Sequence, residues 1–154
     1  MTTTITGATG IDNIKAATGA VLQVVQTVLS TAFSTSTTGA YVDVGLSVSI
    51  TPTSVNNKLL ITLSSNHSAV ATGWSQGQLA LSDNTELMTT FARAETTLIA
   101  FPFTHVYLHS PSTTSSVTYK MRVKGEAGTT YVNRPAGSGS FVFPSTITVQ
   151  EIAG

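Results

Sequence analysis

Cysteine is absent from this 154-residue chain, so disulfide bridges and thiolate metal sites are both excluded. A chain without cysteine fits synthesis in a reducing cytosol. Charge is almost as scarce. Only 9% of residues are charged, against roughly a quarter in ordinary soluble domains, and seven basic residues balance seven acidic ones. Zero net charge removes the basic excess that nucleic-acid and anionic-membrane binders carry. Long apolar runs are missing too. The longest, residues 20–29, is interrupted by Gln23 and Gln26 and falls far short of the ~20 residues that span a bilayer. The opening residues have neither a basic segment nor an apolar one, which excludes a secretory signal and predicts a soluble protein.

Catalytic signatures are equally lacking. No G-x-S-x-G elbow is present, and Gly137-Ser138-Gly139 lacks the GK[ST] ending of a phosphate loop. The acids Asp12, Asp43, Asp83, Glu86, Glu95, Glu126 and Glu151 are scattered, with neither a calcium loop nor a paired-acid arrangement among them. The expectation is a protein that is not an enzyme and carries no cofactor and no metal.

Hydroxyls are abundant: serine and threonine together make up roughly 30% of the chain. A hydroxyl-rich surface with no net charge is poorly protected against self-association, which points to a chain covered by neighbours in an assembly.

The organising stretch is residues 40–64. From Val42 to Ile50 apolar residues alternate with small or polar ones, the period of a half-buried strand. A Pro- and Asn-containing loop over 51–58 then leads to a second strand from Leu59 to Leu63. Further strands are predicted at 21–29, 78–82, 86–94 (Leu87 and Phe91 buried), 97–109, 117–124, 129–133, 141–143 and 146–152, with 30–39 a polar connection and 66–77 loop-rich. Pro102 has no N–H to give to a ladder, which places its strand at an edge or a bulge. So many short strands with polar turns predict an all-β fold: an antiparallel two-sheet sandwich, jelly-roll-like, over 20–154. Residues 1–19 hold only three large apolar residues, Ile5, Ile11 and Ile14, and are predicted to form an extended arm anchored on a partner by those three side chains.

Two further groups are candidates for contact. Phe101, Phe103, His105, Tyr107 and His109 share one face of a strand and are expected at a subunit contact. His105 and His109 stand ~13 Å apart along it, too far to hold one ion together. Lys120, Arg122 and Lys124 form a basic stripe on the opposite face from Tyr119, Met121 and Val123, and are candidates for facing a partner. Trp74, Tyr107 and Tyr131 are the aromatic residues that could stack on a sugar.

Several stretches together resemble small virion structural proteins of tailed bacteriophages, including those of cyanobacteria: Val21-Leu22-Gln23-Val24-Val25, Leu46-Ser47-Val48-Ser49-Ile50-Thr51-Pro52 followed by Asn57-Lys58-Leu59-Leu60-Ile61, 108–119, and Ile147-Thr148-Val149-Gln150-Glu151-Ile152. Residues 3–11 are similar to the start of many phage fibre proteins. The resemblance implies a virion location after synthesis in the host cytoplasm, a homotrimer, and the major capsid protein or other virion proteins as partners. No heptad run precedes the sandwich to build a fibre shaft. That favours a capsid cement or decoration protein over the alternative, a short tail fibre or spike tip that binds a host-surface receptor or glycan.

Overall fold

The computed structural model describes residues 16–69, 72–95, 99–136 and 141–154. Among them ten strands form: β1 (Val21–Leu29), β2 (Phe33–Thr35), β3 (Val42–Ile50), β4 (Lys58–Ala69), β5 (Gly73–Leu81), β6 (Glu86–Ala94), β7 (Ile99–His109), β8 (Val117–Gly125), β9 (Thr130–Val132) and β10 (Ser145–Ile152). Ile5, Ile11 and Ile14 lie outside the described residues.

All strand pairings are antiparallel, and they nest. β1 pairs with β10, β3 with β8, β4 with β7 and β5 with β6, so the chain is one long ribbon of hairpins folded about its middle. Pairing of β10 with β4 closes the first sheet, in the order β1-β10-β4-β7; pairing of β8 with β5 closes the second, β3-β8-β5-β6. Counting the eight long strands only, the sheets run 1-8-3-6 and 2-7-4-5, the double Greek key of a jelly roll. The short strands β9 and β2 extend the first sheet beside the far end of β4.

Alternation sets the core. On β3, Val44, Leu46, Val48 and Ile50 are buried while Asp43, Gly45, Ser47 and Ser49 are exposed. They meet Leu59, Ile61 and Leu63 of β4, Leu79 of β5, Tyr119, Met121 and Val123 of β8, and Ile147 and Val149 of β10. Gly45 has φ of +85° where the register of β3 against β8 shifts, a bulge that a side chain at this backbone angle would strain.

Four local expectations are corrected. β4 continues to Ala69 and β5 starts at Gly73, because this end of β4 is paired on both flanks, with β7 and with β9. Phe33–Thr35 forms β2 within the polar connection by pairing with β9. Residues 141–143 form no strand, and Phe141, Val142 and Phe143 are all exposed. Phe91 is exposed as well, because a register shift at Leu79 and Ala80 turns Met88 and Thr90 inward instead. Pro102 lies exposed on β7, whose one ladder is with β4, the edge position that its missing N–H requires.

Candidate functional site

The aromatic and histidine row of β7 points into the sandwich. Phe103 and His105 are buried inside the single chain, and Phe101, Tyr107 and His109 are half-buried beside them. The expected subunit contact is therefore corrected for this row: its side chains are spent on intramolecular packing, because β7 turns its odd-numbered residues inward. His109 Nδ1 and the Tyr119 hydroxyl hydrogen-bond at 2.7 Å, and Phe103 packs against His67 with ring centres 4.0 Å apart.

This end of the interior is polar. His67 Nε2 lies 3.1 Å from Ser65 Oγ, and His105 Nε2 lies 3.0 Å from Thr90 Oγ1 and 3.1 Å from the Gly77 carbonyl oxygen. The Nδ1 atoms of both histidines and Ser75 Oγ have no hydrogen-bond partner among the described residues. Burial, with a smaller contribution from His105, pushes the His67 imidazole down to about 3, so it is neutral near neutral pH. Burial lowers His105 and His109 too, the Gly77 carbonyl partly opposing this at His105. Neutral imidazoles are ligands in principle, but no group of three or more His, Asp or Glu among the described residues is placed to hold a metal ion.

The two outer faces are chemical opposites. On the first sheet, cross-strand rows run Val24-Gln150-Leu60-Leu108, Gln26-Thr148-Thr62-Val106 and Val28-Thr146-Ser64-Thr104. These three rows carry no charge; exposed Lys58, opposite Ile152 in the next row of this face, does. Val24, Val28, Val106 and Leu108 are each more than half exposed, a scale of apolar exposure that solvent alone does not favour.

The second sheet gathers the charge. Lys120 Nζ and Arg122 Nε donate to Asp43 at 2.8 and 2.9 Å, and Arg122 also donates to Gln78 and to the Tyr41 carbonyl. Two of the three members of the basic stripe are thus engaged across β3 and β8. At Asp43, burial would raise the carboxyl's pKa; hydrogen bonds and charge from Lys120 and Arg122 outweigh it and hold the group below its ordinary value. Lys124 instead places its ammonium 5.1 Å from the centre of the Tyr41 ring.

Beside Lys124 a shallow cleft of about 270 Å³ is lined by Gly39, Trp74, Gln76, Lys124, Gly125 and Glu126. Trp74 meets Phe91 edge to face, with ring centres 4.9 Å apart, and Arg93 sits 5.7 Å from the Trp74 ring. Glu126 accepts the Trp74 backbone N–H at 2.8 Å, and the Gln76 side-chain oxygen accepts the Tyr41 hydroxyl at 2.6 Å. Of the three aromatic residues expected to be available to a sugar, Trp74 lines this cleft, Tyr107 faces the interior, and Tyr131 lies under the Arg134 guanidinium at 4.4 Å. Sequence reading missed Tyr41, Gln76 and Phe91 here. The usable signal was strict alternation: positions 74, 76 and 78 share a face with 120, 122 and 124.

No protein-family model matches the chain, and no curated protein does. Solved structures do. The infectious bursal disease virus Gt strain structure aligns at 13% identity and TM-score 0.47, covering 96% of this chain and 42% of that one. The Gx strain of the same virus aligns at 15% and 0.46, covering 96% and 41%. The VP2 subviral particle of that virus aligns at 15% and 0.39, covering 86% and 38%. The chain spans about two fifths of the length of these structures.

Proposed function

We propose that this chain is a non-enzymatic structural protein of a virus particle, and specifically a cement or decoration protein on the head of a tailed bacteriophage. The observation that carries the reading is the chemical opposition of the two sheet faces. A face whose three central rows carry no charge, with exposed Val24, Val28, Val106 and Leu108, can be buried against a protein lattice without stripping water from ions there, Lys58 at one end of β4 standing at its margin. The charged face opposite it stays in solvent.

In this reading the first sheet seats on the capsid, copies meet as a homotrimer around the seat, and Ile5, Ile11 and Ile14 anchor the N-terminal stretch on the partner. Binding to the assembled lattice and not to free subunits stabilises the head by mass action. The basic stripe of Lys120, Arg122 and Lys124 belongs to the side turned away from the lattice. The test is location: antibody label on purified particles, viewed by electron microscopy, is expected over the head in many copies.

A second reading, a short tail fibre or spike tip that binds a host-surface glycan, is favoured by one observation, the Trp74 and Phe91 cluster exposed on the second sheet. Label confined to the tail tip would select it over the first.

A further inference from the structure

Trp74 and Phe91 stand on neighbouring strands of the second sheet, on the face turned to solvent, where Trp74 is 38% and Phe91 64% exposed. Two large rings held edge to face at the surface by a paired sheet form a rigid apolar patch, and one partly ringed by hydrogen-bonding groups calls for a ligand with both characters. The rim supplies them. Tyr41 donates its hydroxyl to the Gln76 carbonyl oxygen and so fixes the amide, leaving its NH₂ without a protein acceptor among the described residues. Glu126 uses one oxygen on the Trp74 backbone N–H and has its other oxygen to offer. Lys124 lies in no ion pair among the described residues and lines the same cleft.

We propose that this cleft binds a neutral saccharide, with Trp74, held edge to face by Phe91, as the stacking ring and Gln76, Lys124 and Glu126 as the hydroxyl-recognising rim. A pyranose ring presents polarised C–H groups on one face, which suit the negative face of an aromatic ring, and vicinal hydroxyls at its edge, which both donate and accept. Lys124 supplies donors, Glu126 an acceptor and Gln76 a fixed donor. Lys124 and Glu126 line the cleft, and Arg93 beside the Trp74 ring is paired with Glu95 at 3.4 Å, so the local fields largely cancel and a charged ligand would lose hydration without a matching gain. The volume of about 270 Å³ holds a sugar ring with its hydroxyls. The biological setting of this inference rests on the receptor-binding reading; its chemistry rests on the cleft alone.

Trp74 is the chain's one tryptophan, so its emission reports the cleft directly. The full chain would be titrated with cellotriose, maltotriose and mannotriose, and in parallel with a digalacturonate. The expected result is a saturable emission change with at least one neutral trisaccharide, weakened roughly tenfold by Phe91→Ala and by Lys124→Ala. Phe91 is exposed and Lys124 half-buried, and an unchanged urea midpoint would show that each variant is folded. No response to any neutral sugar overturns the site, as does binding that both variants retain in full. Binding of the uronate alone overturns the ligand class. None of these outcomes depends on where the protein sits in a particle, so failure here leaves the head-location reading standing, and the reverse also holds.

Discussion

Acidification should destabilise this fold well before its carboxylates are protonated. His67 is fully buried between the sheets, one ring nitrogen without a partner among the described residues, and its neighbours Ser65, Gly77, Phe101, Phe103, His105 and Val132 include no acid to stabilise a charged imidazole. The ordinary histidine value is 6.5, and burial takes His67 down to about 3. The sign follows from proton counting. Above 6.5 both folded and unfolded chains hold a neutral ring, and between 6.5 and about 3 only the unfolded chain takes up the proton, so stability falls as pH falls through this window. At about pH 5 the loss from His67 alone is about 2 kcal/mol, from 1.36 kcal/mol per pH unit below 6.5. His105 and His109 are shifted in the same direction and add to it. With a urea slope of about 2 kcal/mol per molar, the midpoint should fall by about 1 M between about pH 7.5 and about pH 5. His67→Gln should remove most of that pH dependence, whatever it does to stability at neutral pH. Equal midpoints at the two pH values, or a His67 imidazole that titrates near its ordinary value by NMR, would refute the reasoning.

Two further perturbations probe the core and the closure of the ribbon. Glu151 is buried and accepts hydrogen bonds from Gln23 and Asn57 side-chain amides and from the Thr53 N–H and hydroxyl; burial would raise its carboxyl, but these donors hold it below its ordinary value. Glu151→Ala strands those donors and should cost about 3 kcal/mol or more by urea unfolding, with Glu151→Gln milder; a loss below about 1 kcal/mol would mean that water replaces the carboxylate freely. Gly77→Ala would bring a methyl to 3.1 Å from His67 and 3.2 Å from Phe103, two buried rings, and should cost about 1–3 kcal/mol; an unchanged thermal midpoint would show that this end of the interior is looser than described.

The legible and illegible parts of the chain divide along a physical line. Wherever one strand face is buried and the other wet, as on β3 and β8, period-2 alternation placed the strand and its core residues from sequence alone, and the jelly-roll-like sandwich followed from repeating that pattern. Where a segment's structure depends on distant partners, the local signal misled. The end of β4 reads as a loop because Ser65, His67 and Ser68 are polar, yet strands 30 or more residues away pair with it on both sides. Phe91 reads as core because it is aromatic, and a one-residue slip against β5 turned it to solvent. The histidine row of β7 was found as a row, but alternation cannot say whether its face meets the partner sheet or another subunit. The cleft was out of reach for the same reason: Trp74, Phe91 and Lys124 come from β5, β6 and β8 and Tyr41 from just before β3, and only the pairing order brings them together.

In the proposed function the outer face of the first sheet, free of charge across its three central rows, is the seat on the particle. The most direct test is co-sedimentation of the purified chain with particles stripped of it, comparing wild type with Val106→Glu on that face and Lys120→Ala on the other. Val106 is more than half exposed in the free chain, whereas Lys120→Ala breaks the ion pair with Asp43, so an unchanged urea midpoint for the first and a folded baseline for the second are required before binding is compared. Wild type and Lys120→Ala are expected to rebind alike while Val106→Glu is lost from the pellet, because a buried unpaired carboxylate opposes docking. Undiminished binding of Val106→Glu, with loss of binding in Lys120→Ala, would contradict it and place the seat on the charged sheet.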